Sequence, residues 1–241
     1  MDQKLTILDL IKNNTLNAEM AAFMWEAVSV KTSFLTAALY QNAGKSTLSK
    51  ALLDLRDNNT PLHFVSENLQ VTEKLLEVEK DGGYLVVSEF NPVEVPGYIW
   101  GEDAKKVFQL SKKGYSLQGC IHSSNAQDAI VKLTKENGIT DEDASLIKLV
   151  LFIEIFGSTP ATAKRRITQI YEVHYVENGL PMGHSIFEWD KTQDSFIKTE
   201  EAHLPGINKE KIKNKTQLIK TYVSLNKTNT EDVDNMLGEL A

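Results

Sequence analysis

The tetrapeptide Gly44-Lys45-Ser46-Thr47 joins a residue without a side chain to a long cation and two hydroxyls. Such a sequence can grip a phosphate chain. Gly44 lets the backbone approach an anion, consecutive N–H groups from Asn42 to Thr47 form a concave donor surface, Lys45 reaches the outer phosphates, and the Ser46 hydroxyl can hold Mg²⁺. Phosphate chemistry also needs carboxylates across the cleft, to hold the metal and orient a water. Two apolar runs end in one: Leu62–Ser66 before Glu67, and Tyr84–Ser88 before Glu89. His122 closes a third run, Tyr115–Ile121, and is followed by Ser123, Ser124 and Asn125.

These residues share one edge only if the runs before them are parallel strands. The sequence supports that arrangement. Ser33–Leu39 reads as a buried strand before the lysine loop, and Leu48, Leu52, Leu53 and Leu55 as the apolar stripe of the helix after it. Further strands are expected at 62–66, 84–88, 115–121 and 149–156, with helices at 104–110 and 126–136. This alternation predicts a mainly parallel α/β sheet covered on both faces, with ligands at the carboxyl ends of its strands. Two short helices come first, the second capped by Asn17. After Gly157 the style changes to antiparallel strands at 166–175 and 185–189 around an Asn178-Gly179 turn. Residues 209–240 return to helix, with Thr230 expected as an internal cap. We read one domain over 1–241: entry helices 1–31, a nucleotide-binding core 32–157, an antiparallel β extension 158–200 and C-terminal helices 201–241.

Composition sets the outer limits. The chain has 241 residues, 41% of them hydrophobic, which is enough for a full core. Lys and Arg number 26 against 33 Asp and Glu, a net charge of −7, so no global basic footprint for nucleic acid is present. The single cysteine, Cys120, excludes an intrachain disulfide and a four-cysteine zinc site. It is expected to be a buried, inert thiol. No apolar run is long enough to cross a bilayer, so a cytoplasmic protein is expected, peripheral to a membrane only through a partner. His63, His174, His184 and His203 lack helical spacing of the His-x-x-x-His kind, so no zinc is assigned. Lys209, Lys211, Lys213 and Lys215 read as a solvated helix face.

Taken in order, these segments resemble the ATPase domain of the type II/type IV secretion and type IV pilus assembly ATPases. Glu19–Trp25 is similar to that family's entry helix, and Asn42–Leu53 to its phosphate loop and following helix. Glu67 falls at the acidic box, Glu89 at the second acidic strand end, and Gly114–Ala126 at the histidine box. Lys164–Val173 and Phe187–Asp190 resemble the closing strand block. The resemblance implies a RecA-like P-loop NTPase fold and use of ATP with Mg²⁺. It also implies a homo-oligomer, hexameric by family, that drives export or filament assembly beside an inner-membrane platform protein. Cofactor contacts fall to Asn42, Ala43, Gly44, Lys45, Ser46 and Thr47, and metal contacts to Ser46 and Glu67. The catalytic roles fall to Glu89, Glu67 and His122.

The chain departs from the family in places. Leu39 stands where the loop pattern begins with glycine, Phe90-Asn91-Pro92 follows Glu89, and 38 residues precede Leu39, too few for the family's N-terminal domain. The arginines are only Arg56, Arg165 and Arg166. Arg56 is expected to lie far from phosphate, and the other two to serve structure or a ring contact. The alternative reading is therefore a degenerate nucleotide-binding interaction module with little or no hydrolysis. A kinase or a nucleic-acid motor is a more distant third.

Overall fold

The structure is a computed structural model that describes residues 4–65, 73, 82–157, 159 and 162–240. Ser66 and Glu67 lie outside the described residues. Two helices open the chain, α1 (Ile7–Lys12) and α2 (Ala18–Ser29), started by the side chains of Thr6 and Asn17, which accept first-turn N–H bonds. Strand β1 (Phe34–Ala38) leads to α3 (Lys45–Leu53). Next come β2 (Leu62–Phe64), β3 (Tyr84–Phe90), the two-residue β4 (Tyr98–Ile99) and α4 (Glu102–Ser111). Strand β5 (Ser116–His122) is followed by α5 (Ala126–Val131), which relaxes into a π-helical turn at Lys132–Glu136, and by the short α6 (Asp141–Ala144).

The second half runs β6 (Leu149–Phe156), β7 (Lys164–Glu177), β8 (Leu180–Asp190), β9 (Ser195–Lys198), α7 (Lys209–Ser224) and α8 (Thr230–Gly238). The strands form one sheet in the order β2-β3-β5-β1-β6-β7-β8-β9, with β4 paired to the end of β3. From β2 to β6 all pairs are parallel, and from β6 to β9 all are antiparallel. This is the α/β architecture expected, a parallel core with an antiparallel extension. The strand alternation shows in the packing. Phe34 and Ala38 of β1 and Leu149, Leu151 and Ile153 of β6 join α1, α2, α3, α7 and α8 on one face. Leu35, Ala37, Val150 and Phe152 join α4 and α5 on the other.

Three expectations about this half need correction. The cap of α8 is Asn229, not Thr230, because its side chain accepts from Asp232 N–H while Asp232 answers the Asn229 N–H. Lys215 is not part of a solvated face. Its ammonium is buried, 2.6 Å from Glu26 Oε2 and 4.7 Å from the centre of the Trp25 ring, so it docks α7 on α2. Burial lowers its pKa, against the raising effect of Glu26. Third, the histidines have a metal-like grouping that linear spacing could not show. His174 and His184 come from facing strands and meet His203 beside Glu172.

Arg166 is buried at the start of β7 and grips Asp194 with two bonds, Nε to Oδ1 at 2.7 Å and Nη2 to Oδ2 at 2.8 Å. That fork, helped by the Trp189 indole N–H, holds the Asp194 carboxyl far below the usual carboxylate range.

Two measurements check these ties. Lys215→Ala leaves Glu26 buried without a counterion and should cost about 3–5 kcal/mol in urea unfolding, whereas Glu26→Met with Lys215→Met should return close to wild type. Because the folded pKa of Asp194 is depressed, its stabilisation is complete above the unfolded value of about 3.9 and fades as pH falls below it. Acid unfolding curves should therefore show wild type losing its advantage over Asp194→Asn as pH drops from about 5 towards 2. A constant gap between the two proteins would contradict the pairing.

Candidate functional site

The site sits at the carboxyl ends of β1, β5 and β3, three adjacent strands. Ala38, the last residue of β1, is in register with His122, the last of β5. Between Val87 and Phe90 strand β3 advances by three residues while β5 advances by two, from Gly119 to Ile121. This bulge breaks the inside–outside alternation, so Ser88 is exposed and Glu89 turns inward and is buried. β4 then places Tyr98 opposite Glu89.

Above these strand ends the chain turns from β1 into α3. Asn42 and Gly44 take positive φ, +59° and +105°. Asn tolerates that region because its short side chain can bond locally, and Gly because it has no Cβ. Leu39 does not need it and points outward, 52% exposed, so its replacement of a glycine does not fill the loop. Gly44 caps α3 without offering a side-chain acceptor to the first-turn N–H groups. Those donors face the cleft, and the helix dipole makes its mouth positive.

The helix is fixed on the sheet by a buried polar relay. Ser49 donates to Thr36 Oγ1 at 2.9 Å, Gln118 Nε2 donates to Ser49 at 2.9 Å, and the Cys120 thiol lies 3.6 Å from the same hydroxyl. Cys120 is buried, and burial raises its pKa, which keeps it a thiol. The relay joins α3 to β1 and β5, the two strands that carry the loop and the histidine.

Lys45, Glu89 and His122 converge. Lys45 Nζ is 3.3 Å from His122 Nε2 and 3.5 Å from Glu89 Oε1, and His122 Nε2 is 2.9 Å from that same oxygen. Lys45 and Glu89 are only 7% and 6% exposed, so both charges have been taken from water. Glu89 Oε1 nonetheless makes no well-aligned hydrogen bond and is an unsatisfied buried acceptor. Tyr98 approaches the same carboxylate. Its phenol pKa is raised by burial, then by the Glu89 charge and the hydrogen bond between them.

Two further residues line this cleft, and only Tyr98 was missed in the sequence. Tyr98 gave no signal beyond a turn. Arg165, expected in structure or a ring contact, donates to the Asn42 carbonyl at 3.2 Å and packs against Gly44. The other two arginines are occupied elsewhere, Arg56 on the carbonyls of Leu53 and Thr60 and Arg166 on Asp194. Asn42, Ala43, Gly44, Lys45, Ser46 and Thr47 all line a cleft of about 620 Å³ together with Glu89, Tyr98, His122 and Arg165. Ser46 and Thr47 are exposed to it.

No known protein-family model matches the chain. An uncharacterized protein of Methanocaldococcus jannaschii is 23% identical over 226 aligned residues, covering 81% of this chain and 79% of that one. Among solved structures, the VirB11 ATPase of the Brucella suis type IV secretion system, crystallised with sulphate, superposes with a TM-score of 0.47 at 16% identity. The match covers 71% of this chain, which spans 57% of the VirB11 chain's length.

Gly44→Ala tests the loop geometry. Its new Cβ would take a φ of +105° and lie 3.1 Å from Arg165 Cδ. Denaturant titration should show a loss of about 1–3 kcal/mol. An unchanged midpoint would mean that the loop relaxes away from this conformation at no cost.

Proposed function

We propose that the chain binds ATP with Mg²⁺ in this cleft and hydrolyses it, as an ATPase of the secretion and pilus-motor kind. The observation that carries the reading is the convergence of Lys45, Glu89 and His122 beneath an uncapped helix N-terminus. The donor set fits a nucleotide triphosphate. First-turn N–H groups, the Lys45 ammonium and the Arg165 guanidinium supply positive potential where a phosphate tail would lie, and the Ser46 hydroxyl and Glu67 would hold the metal. Bound Mg²⁺ would supply charge neutralisation on the phosphates.

The protein's own groups divide the remaining work. Lys45 exchanges Glu89 and His122 for phosphate oxygens when a nucleotide enters, and that exchange frees Glu89. The unsatisfied Oε1 then accepts a hydrogen bond from a water and orients it, with Tyr98 steadying the carboxylate. His122 stays within reach of the outer phosphate side and of Glu89, so it reports on whether the lysine is engaged. Arg165 is already seated on the loop and supplies in cis a cation that motors of this kind need during phosphoryl transfer. In this reading the chain works as a homo-oligomeric ring, with the exposed Leu39 and Tyr40 beside the cleft available to a neighbouring protomer. It would meet the membrane through a platform partner, since no helix among the described residues is long and apolar enough to cross one.

A second reading, a nucleotide-binding module without turnover, is favoured by the way Lys45 and Glu89 satisfy each other's charge. A self-neutralised pair can hold nucleotide without committing the glutamate to water. One set of assays separates the two. Under the ATPase reading, Lys45→Ala should abolish calorimetric ATP binding, and Glu89→Gln should bind ATP but lose at least about 10² in turnover, the scale of general base catalysis. Tight binding with no phosphate release by wild type would leave only the module. Identical turnover in all three proteins would remove the site altogether.

A further inference from the structure

We propose that Glu172, His174, His184 and His203 form a binding site for a divalent transition metal, of the zinc class, which fastens the segment before α7 to the antiparallel extension. The site is separate from the cleft and independent of its nucleotide. Each of the four residues offers one ligand atom, and these atoms lie within 4.8 Å of one another. Tetrahedral coordination by imidazole nitrogen and carboxylate oxygen at about 2.0–2.2 Å needs ligand atoms about 3.4 Å apart. A small contraction of the cluster around an ion would reach that distance.

The strands explain why the residues meet. Glu172 and His174 are two apart on β7, and Glu172 is directly opposite His184 on β8. The register shifts between Val173 and Tyr175, so His174 sits in a bulge, a device that re-aims a side chain. His203 arrives from the segment between β9 and α7. Its backbone N–H donates to both Glu172 oxygens, at 3.1 and 2.9 Å, and so fixes the carboxylate. The rings pack in a triangle with centroids 4.9, 5.6 and 5.2 Å apart.

Chemistry selects the ligand class. Three imidazoles with one carboxylate suit zinc and its neighbours and are poor for Mg²⁺ or Ca²⁺, which prefer all-oxygen cages. Four protein ligands make a closed, structural site. His184 Nε2 is 3.1 Å from the Glu201 carbonyl, and Glu201 is itself paired with Lys198 and Lys209, which fixes the ring's place in the cluster. Glu172 is 2% exposed, and the His184 ring lies 3.5 Å from its Oε2. Lys148 reaches the His174 carbonyl at 3.3 Å. A dication would neutralise this buried carboxylate while the imidazoles complete its coordination.

The full-length protein, stripped with chelator and titrated with ZnCl₂ in a calorimeter, should take up one equivalent and melt at a higher temperature. Co²⁺ in place of Zn²⁺ should give the intense visible bands of a tetrahedral site. His174→Ala with His203→Ala removes two exposed rings, so the fold should persist by circular dichroism while zinc affinity drops by more than about tenfold. Lys45→Ala should keep full zinc uptake. Absence of stoichiometric uptake by wild type, or equal uptake by the double variant, would overturn the proposal.

Discussion

A lysine and a glutamate, both withdrawn from water, share the end of this sheet with one histidine. Removing two ions from water costs several kcal/mol each, and the attraction between them recovers that only when geometry is close and further polar groups help. Lys45 and Glu89 have His122 for this, and Tyr98, which hydrogen-bonds the carboxylate. The cluster therefore constrains the strands beneath it. β1, β5 and β3 must end level, and β3 must bulge once to turn Glu89 inward. A sheet slipped by one residue would send the glutamate to the opposite face and leave the lysine buried alone.

The buried relay through Thr36, Ser49 and Gln118 has the same logic from below. Hydroxyls and an amide at the core of a sheet are costly unless each finds a partner. Here they find one another only if α3 lies at a single height over β1 and β5. That height places Gly44 and the first turn of α3 over the strand ends. Apolar packing alone would hold the helix against the sheet but would let it slide. The polar contacts choose the position.

Much of this was legible in the residues. Apolar runs ending in Glu89 and His122, and the strand–loop–helix around Lys45, placed three of the cleft's groups, because a strand's last residue must lie at the sheet edge. Parallel and antiparallel halves were also legible, from helix-separated strands before Gly157 and from Asn178-Gly179 after it. What escaped depends on contacts between distant segments. Tyr98 enters the site through a two-residue strand too short for any periodic signal. Lys215 looked solvated because its neighbours alternate with polar residues, yet its partner Glu26 lies on another helix. The histidines were judged by helical spacing, whereas their ligand-like grouping uses strand spacing, a cross-strand pair and a bulge. Glu67 lies outside the described residues, so its part rests on the sequence alone.

Arg165 shows how the antiparallel extension bears on the cleft. Successive side chains of a strand point to opposite faces. Arg166, its neighbour, is committed to the interior: its fork on Asp194 ties the start of β7 to the turn before β9, and Nη1 also reaches the carbonyls of Asn13 and Arg165. With Arg166 pinned on one side, Arg165 must project to the other, and there it meets the Asn42 carbonyl and Gly44. The cation over the loop is thus held by a salt bridge that touches nothing in the cleft. This arrangement explains why two adjacent arginines with the same chemistry have different tasks. It also means that the extension completes the loop's electrostatics through a residue whose direction is set some distance away.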